Sequence, residues 1–165
     1  MIDAKAKKII HDNLYMTISV CDLAGNPWIA NVFFADGGGN FYWYSSKETR
    51  HSKLIKSNPN IAVAIFNSTA TDDDVDAVYF SAQAAEVTDK QELLKGLLVY
   101  GQKMFRTKFL PNKAAVHEFV KGLADFQGKA LLRLYKAVPE KMFRLAPSRM
   151  FNGKYIDSRV EVDFH

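Results

Sequence analysis

The sequence has a single cysteine, Cys21, which excludes an internal disulfide and with it the disulfide-stapled secreted scaffolds. Its four histidines, His11, His51, His117 and His165, are scattered and share no zinc spacing with that thiol, so no metal site is expected. No apolar run approaches the roughly 18 residues of a membrane helix. The opening Met1-Ile2-Asp3-Ala4-Lys5 leads into no apolar signal core. No membrane role is expected, and the expected compartment is cytoplasmic. Charge of one sign is also scarce: 22 Lys and Arg face 18 Asp and Glu, a net charge of +4. That balance suits a small anionic ligand. It falls short of the basic face of a nucleic-acid binder, since the lysines and arginines of residues 90–149 are dispersed and no aromatics interleave with them.

What remains is ordinary globular material, 48% hydrophobic and 13% aromatic, at a length that suits one domain spanning 1–165. Helical spacing of Ala6, Ile9, Ile10 and Leu14 predicts a short helix over Asp3–Asn13. From Tyr15 the period becomes two, and Met16, Ile18 and Val20 share one face of a strand on which Cys21 reads as a structural thiol. Asp22 to Pro27 forms a turn, Trp28–Ala35 a second strand, and Asp36-Gly37-Gly38-Gly39-Asn40 a hairpin tip without the helix and Lys-Ser/Thr that a phosphate loop needs. Phe41–Tyr44 is a third strand ending at Ser45 and Ser46, and Thr49–Ser57 a short helix stopped by Asn58-Pro59. Ile61–Phe66 and Ala77–Val87 are further strands, separated by an acidic loop, 71–76, that lacks the ligand pattern of a calcium site.

Thr88 and Asp89 open a helix with capping-box register, and its apolar face is Leu93, Leu94, Leu97, Leu98, Met104 and Phe105. Val116, Phe119, Val120 and Leu123 mark another helix. Ala130–Tyr135, continued extended from Met142 to Leu145, closes the order as a sixth strand. Strands first, helices inserted late and a closing strand last predict an antiparallel barrel with flanking helices, because the βα alternation of a parallel nucleotide-binding sheet is absent.

The chemistry concentrates in Tyr44-Ser45-Ser46-Lys47-Glu48-Thr49-Arg50-His51-Ser52-Lys53. A strand ends there in hydroxyls, and a helix begins with cations near its unpaired N–H groups. A phosphate fits the forked guanidinium of Arg50, the ammonium of Lys53 and the hydroxyls of Ser45, Ser46, Thr49 and Ser52. The competing reading is a plain helix cap by Thr49 or Ser46 with the cations left in water. Local spacing leaves both open.

Three ordered pieces resemble the pyridoxamine 5'-phosphate oxidase-related FMN-binding proteins. They are Tyr15 to Val20 with Gly25 to Phe34, Phe41 to Ser46 with Thr49 to Ser52, and Asn58 to Val63. The resemblance implies a mainly β, six-stranded antiparallel split β-barrel of Greek-key topology that binds FMN. It implies a homodimer with flavin at the interface, a small-molecule substrate and NAD(P)H as a candidate donor. On that basis Ser45, Ser46, Thr49, Arg50, His51, Ser52 and Lys53 hold the phosphate, Trp28 to Val32 run beside the flavin ring, and Asn31 is its polar contact. His51 stands where many relatives carry a lysine, and Tyr79 where a glutamine is frequent. The C-terminal tryptophan and arginine pattern of the vitamin B6 oxidases is missing, although Arg144, Arg149 and Phe151 lie in that region. The expected function is therefore an FMN-dependent oxidoreductase with no catalytic residue assigned, the alternative being a flavin or haem binding or storage protein without turnover. The polar segment from Asn152 onward is expected to be ordered by the partner subunit.

Overall fold

The computed structural model describes residues 3–71 and 75–163. A helix, α1 (Ala4–Asp12), precedes strands β1 (Tyr15–Cys21), β2 (Pro27–Phe33), β3 (Ala35–Gly37) and β4 (Asn40–Ser46). Helix α2 (Arg50–Ser57), strands β5 (Asn60–Phe66) and β6 (Ala77–Glu86), and helices α3 (Lys90–Arg106) and α4 (Lys113–Lys121) follow. A 3-10 turn, Gly122–Phe126, then leads to β7 (Leu132–Phe151) and β8 (Lys154–Val162). The strands form one antiparallel sheet in the order β2-β1-β5-β6-β7-β4-β3, with β8 on β7. The sheet curls into an antiparallel barrel, as the strand order implied, of the split form that the resemblance implied.

Alternation decides which face is core. Met16, Ile18, Val20, Phe41, Trp43, Ile61, Val63, Ile65, Val78, Phe80 and Tyr135 all turn inward and are buried. Strand β4 is buried on both sides. Tyr42, its other face, packs with Leu134 under Leu93 and Leu97 of α3. Helix and sheet approach closely at Gly96, where a Cβ would lie 2.5 Å from Leu134 and 2.9 Å from Tyr42. The α3 face predicted from Leu93 and Leu97 is therefore the packed one, whereas Leu94 and Leu98 are exposed.

Two features correct the expected six strands to eight. First, the expected strand 28–35 breaks at Phe34: the chain leaves β1 and turns to β4, and its amide still bonds Leu14 O at 3.2 Å. The glycine tip behaves as expected, with Gly38 and Gly39 at φ 61° and 77°. Second, β7 is twenty residues long, running on past Pro139 to Phe151, and returns as β8 through Asn152-Gly153, both at positive φ. Asn-Gly is the residue pair that a tight hairpin turn favours, so a local signal for β8 was present. Of the segment expected to be ordered by a partner, Lys154–Val162 is thus paired within its own chain. Pro139, with no N–H to donate, sits where the β6–β7 register shifts. Residues 72–74 of the expected acidic loop lie outside the described residues.

Lys103 of α3 is 5% exposed, lies 3.5 Å over the Phe34 ring and donates to Asn13 O at 2.8 Å. Burial pulls its ammonium down to about 8. The unfolded chain then binds more protons than the folded one above that pH, so this lysine makes stability rise with pH. Buried Tyr100 and Tyr42, pushed up by burial, reverse the trend above pH 10. Denaturation at pH 7.5 and 9.5 should show the wild type gaining about 1–2 kcal/mol relative to Lys103→Met. Parallel curves for the two proteins would refute this account of Lys103.

Candidate functional site: the corner between β4 and α2

Thr49 adopts the extended backbone of an N-cap, and its hydroxyl accepts from the Ser52 amide at 3.4 Å. The capping alternative is therefore realised, and it is compatible with an anion site because the cap draws the other side chains together. His51 turns back over the corner. Its Nε2 lies 2.9 Å from Ser45 Oγ and 3.2 Å from Thr49 Oγ1, and Thr49 Oγ1 lies 2.8 Å from Ser52 Oγ. Ser46 takes a different part: its Oγ accepts from the Glu48 amide at 3.1 Å, and its carbonyl accepts from Thr49 Oγ1 at 2.9 Å. Half-buried, the His51 imidazole is pulled below its ordinary pKa by desolvation.

The cluster continues inward. Ser52 is buried at 3% exposure near Tyr135, whose phenol burial pushes up and the Ser52 hydroxyl partly draws back. Tyr135 in turn stacks on Trp43 at 5.5 Å. The Trp43 ring is fully buried, its indole N–H finds no acceptor among the described residues, and it shares a face of β4 with Ser45, two residues on. From sequence Trp43 reads as one of the strand aromatics able either to stack on a flat ring or to fill the core, and it fills the core. Tyr135 was not singled out, and it arrives only through the Trp43–Tyr135 pairing of β4 with β7.

The cations divide. Lys53 pairs with Glu48 at 2.9 Å on the exposed flank. Arg50 instead lays its guanidinium 4.5 Å from the Trp28 ring centroid, and among the described residues no carboxylate or carbonyl accepts from it. Trp28, which the resemblance sets beside the flavin ring, is thus joined to the corner. Asn31 is not: it faces the other side of β2, where Thr17 Oγ1 donates to its Oδ1 at 2.7 Å. Residues 28, 30 and 32 hydrogen-bond β1, a parity set by the Phe34 amide on Leu14, so Ile29 and Asn31 present their backbone N–H and C=O groups to the free edge of β2.

A curled antiparallel sheet with helices over its openings defines a split-barrel protein. A family model described as pyridoxamine 5'-phosphate oxidase matches residues 2–146, and the chain belongs to that family. Solved structures share the fold at low identity. The heme storage protein HutZ of Vibrio cholerae is 18% identical at TM-score 0.64, the match covering 86% of this chain and 93% of that one. A putative pyridoxamine 5'-phosphate oxidase of Listeria innocua is 14% identical at TM-score 0.57, covering 84% and 93%. A FAD-binding protein of Mesorhizobium loti is 15% identical at TM-score 0.56, covering 87% and 94%. No curated protein matches the sequence. Among the described residues no helix is long and apolar enough to cross a membrane, and no His, Cys, Asp and Glu group is placed to hold a metal.

Proposed function

We propose that this protein binds FMN with its phosphate at the β4–α2 corner and its ring along the free edge of β2, and that it relays electrons from a reduced donor to a small organic acceptor. The observation that carries the reading is Arg50: its guanidinium sits 4.5 Å from the Trp28 ring centroid with no carboxylate or carbonyl acceptor among the described residues, and its neighbours Thr49 and His51 join a cluster of hydroxyls. Such a group matches the planar array of phosphate oxygens. Bound flavin would supply the redox chemistry, while the chain binds the ester, orients the ring and shields it from water. Ile29 and Asn31 offer backbone donors and acceptors suited to the polar edge of a flat heterocycle, and the amide of the Asn31 side chain lies on one face of the strand.

The same reading makes the protein a homodimer. The outer face of β1, β5 and β6 carries the small Thr17, Ser19, Ala62, Ala64 and Ser81, with Tyr79 opposite Ala64 and with Ile29 and Phe66 exposed at 64% and 53% beside them. A gel-filtration mass of a monomer would contradict that part.

Purified protein, or protein mixed with FMN, should show flavin absorption bands that bleach anaerobically with NADH or NADPH and return with an organic acceptor. Binding without bleaching by either donor would favour a carrier. A Soret band instead would favour haem, which needs an axial ligand. Among the described residues His11 and His117 lie exposed beside Asp12 and Glu118, and His51 is engaged by two hydroxyls.

A further inference from the structure

We propose that seating a phosphate monoester at this corner is coupled to uptake of one proton by His51, so that the protein holds its ligand more tightly as the solution becomes more acidic. The inference rests on the reading that the corner holds the phosphate, and it adds how that hold is regulated.

The geometry carries it. His51 is the group of the corner that bridges two elements, Ser45 of β4 and Thr49 at the start of α2, and among the described residues its Nε2 meets hydroxyls only. A hydroxyl satisfies a neutral imidazole as donor or acceptor, so neither contact holds a proton on the second ring nitrogen. Desolvation disfavours the charged ring, in line with its lowered pKa. An anion among these hydroxyls reverses the balance, because a negative charge within a few ångströms favours the imidazolium and both ring nitrogens then serve as donors. Arg50, exposed and without a carboxylate or carbonyl acceptor among the described residues, is a second cation at the same helix start that an anion there can meet.

The surrounding groups leave His51 as the switch. Its own segment carries Lys47, Glu48, Arg50 and Lys53, with Glu48 and Lys53 paired to each other. From β7 come Arg133, opposite Ser45, and Tyr135, and from β6 Glu86, which binds Arg133 at 2.8 Å. Strand β2 contributes Trp28, and β1 contributes Cys21, which contacts Asn58 at the far end of α2. No second imidazole is among them. In balance, one proton leaves the solvent for the ring, the phosphate arrives as a dianion, and no covalent bond changes.

Calorimetric titration of FMN in two buffers of different ionisation enthalpy, at pH 7.5, reads the proton directly. FMN itself sheds its second phosphate proton near pH 6, so above about pH 6.5 the uptake belongs to the protein. Wild type should take up a substantial fraction of one proton per FMN, and its Kd should rise with pH by up to about tenfold per unit between the free and bound titrations of His51. His51→Lys, charged at the outset, should bind with no uptake and little pH dependence, and His51→Gln should bind more weakly with none. Riboflavin, without the ester, should bind with no uptake. FMN binding that leaves the buffers indistinguishable, or uptake retained by His51→Gln, overturns the inference while leaving the flavin reading intact. Failure of wild type and both variants to bind FMN at any pH overturns the flavin reading itself, and this inference with it.

Discussion

Arg50→Ala should weaken FMN binding by about tenfold to a hundredfold, read as quenching of flavin fluorescence on titration. The estimate follows from the loss of charge-assisted hydrogen bonds worth about 1.5–3 kcal/mol, at 1.4 kcal/mol per factor of ten. Arg50→Lys keeps the charge but loses the fork and the flat seat on Trp28, so it should recover only part of the affinity. Trp28 is 40% exposed, and the stack is built at the surface. The alanine variant should therefore fold with a thermal midpoint close to wild type. Unchanged FMN affinity in Arg50→Ala would place the ester elsewhere.

The largest stability effect is expected at Arg133. This arginine is 7% exposed and turns its fork to the backbone: Nη1 donates to Ala130 O at 2.7 Å and Leu132 O at 2.6 Å, and Nη2 to Gly128 O at 2.6 Å. Its Nε pairs with Glu86 at 2.8 Å. These bonds tie the loop after the 3-10 turn to the start of β7, directly beneath Ser45. Arg133→Met keeps most of the volume but leaves three carbonyls and a carboxylate without their donor. The expected cost is about 3 kcal/mol, equivalent to a fall of about 6–12 °C in Tm for a chain of this size. Arg133→Lys should restore little, since one ammonium cannot reach carbonyls spread over five residues. A thermal midpoint unchanged in Arg133→Met would show that these bonds are replaced by water at no cost.

Where the sequence was informative, the reason is periodicity or punctuation. Met16, Ile18 and Val20 alternate, the glycines after Asp36 permit a tip at positive φ, and Asp89 caps α3 through the Glu92 amide at 2.8 Å. Such features are local, and local energetics fixes them whatever the remainder of the chain does. The corner was legible for the same reason, as a strand ending in hydroxyls followed by cations. The pairing that matters chemically was not. Nothing within residues 44–53 reports that Arg50 lies on Trp28, twenty-two positions earlier, or that Ser52 leads to Tyr135 and Trp43. Those contacts depend on α2 lying against β1 and β2, a long-range outcome of how the sheet curls. The β7–β8 hairpin was missed for a different reason. Its polar residues were weighed by composition, although the Asn152-Gly153 turn carried the backbone signal.

The ester is the feature on which the account turns, and a paired titration with FMN and riboflavin isolates it. The two ligands share the ring and differ in the phosphate alone, so their Kd ratio at pH 7 measures what the β4–α2 corner contributes. FMN should bind at least about tenfold more tightly than riboflavin, and the advantage should shrink in Arg50→Ala. Equal affinities, or no binding of either, would contradict the assignment of this corner to a phosphate.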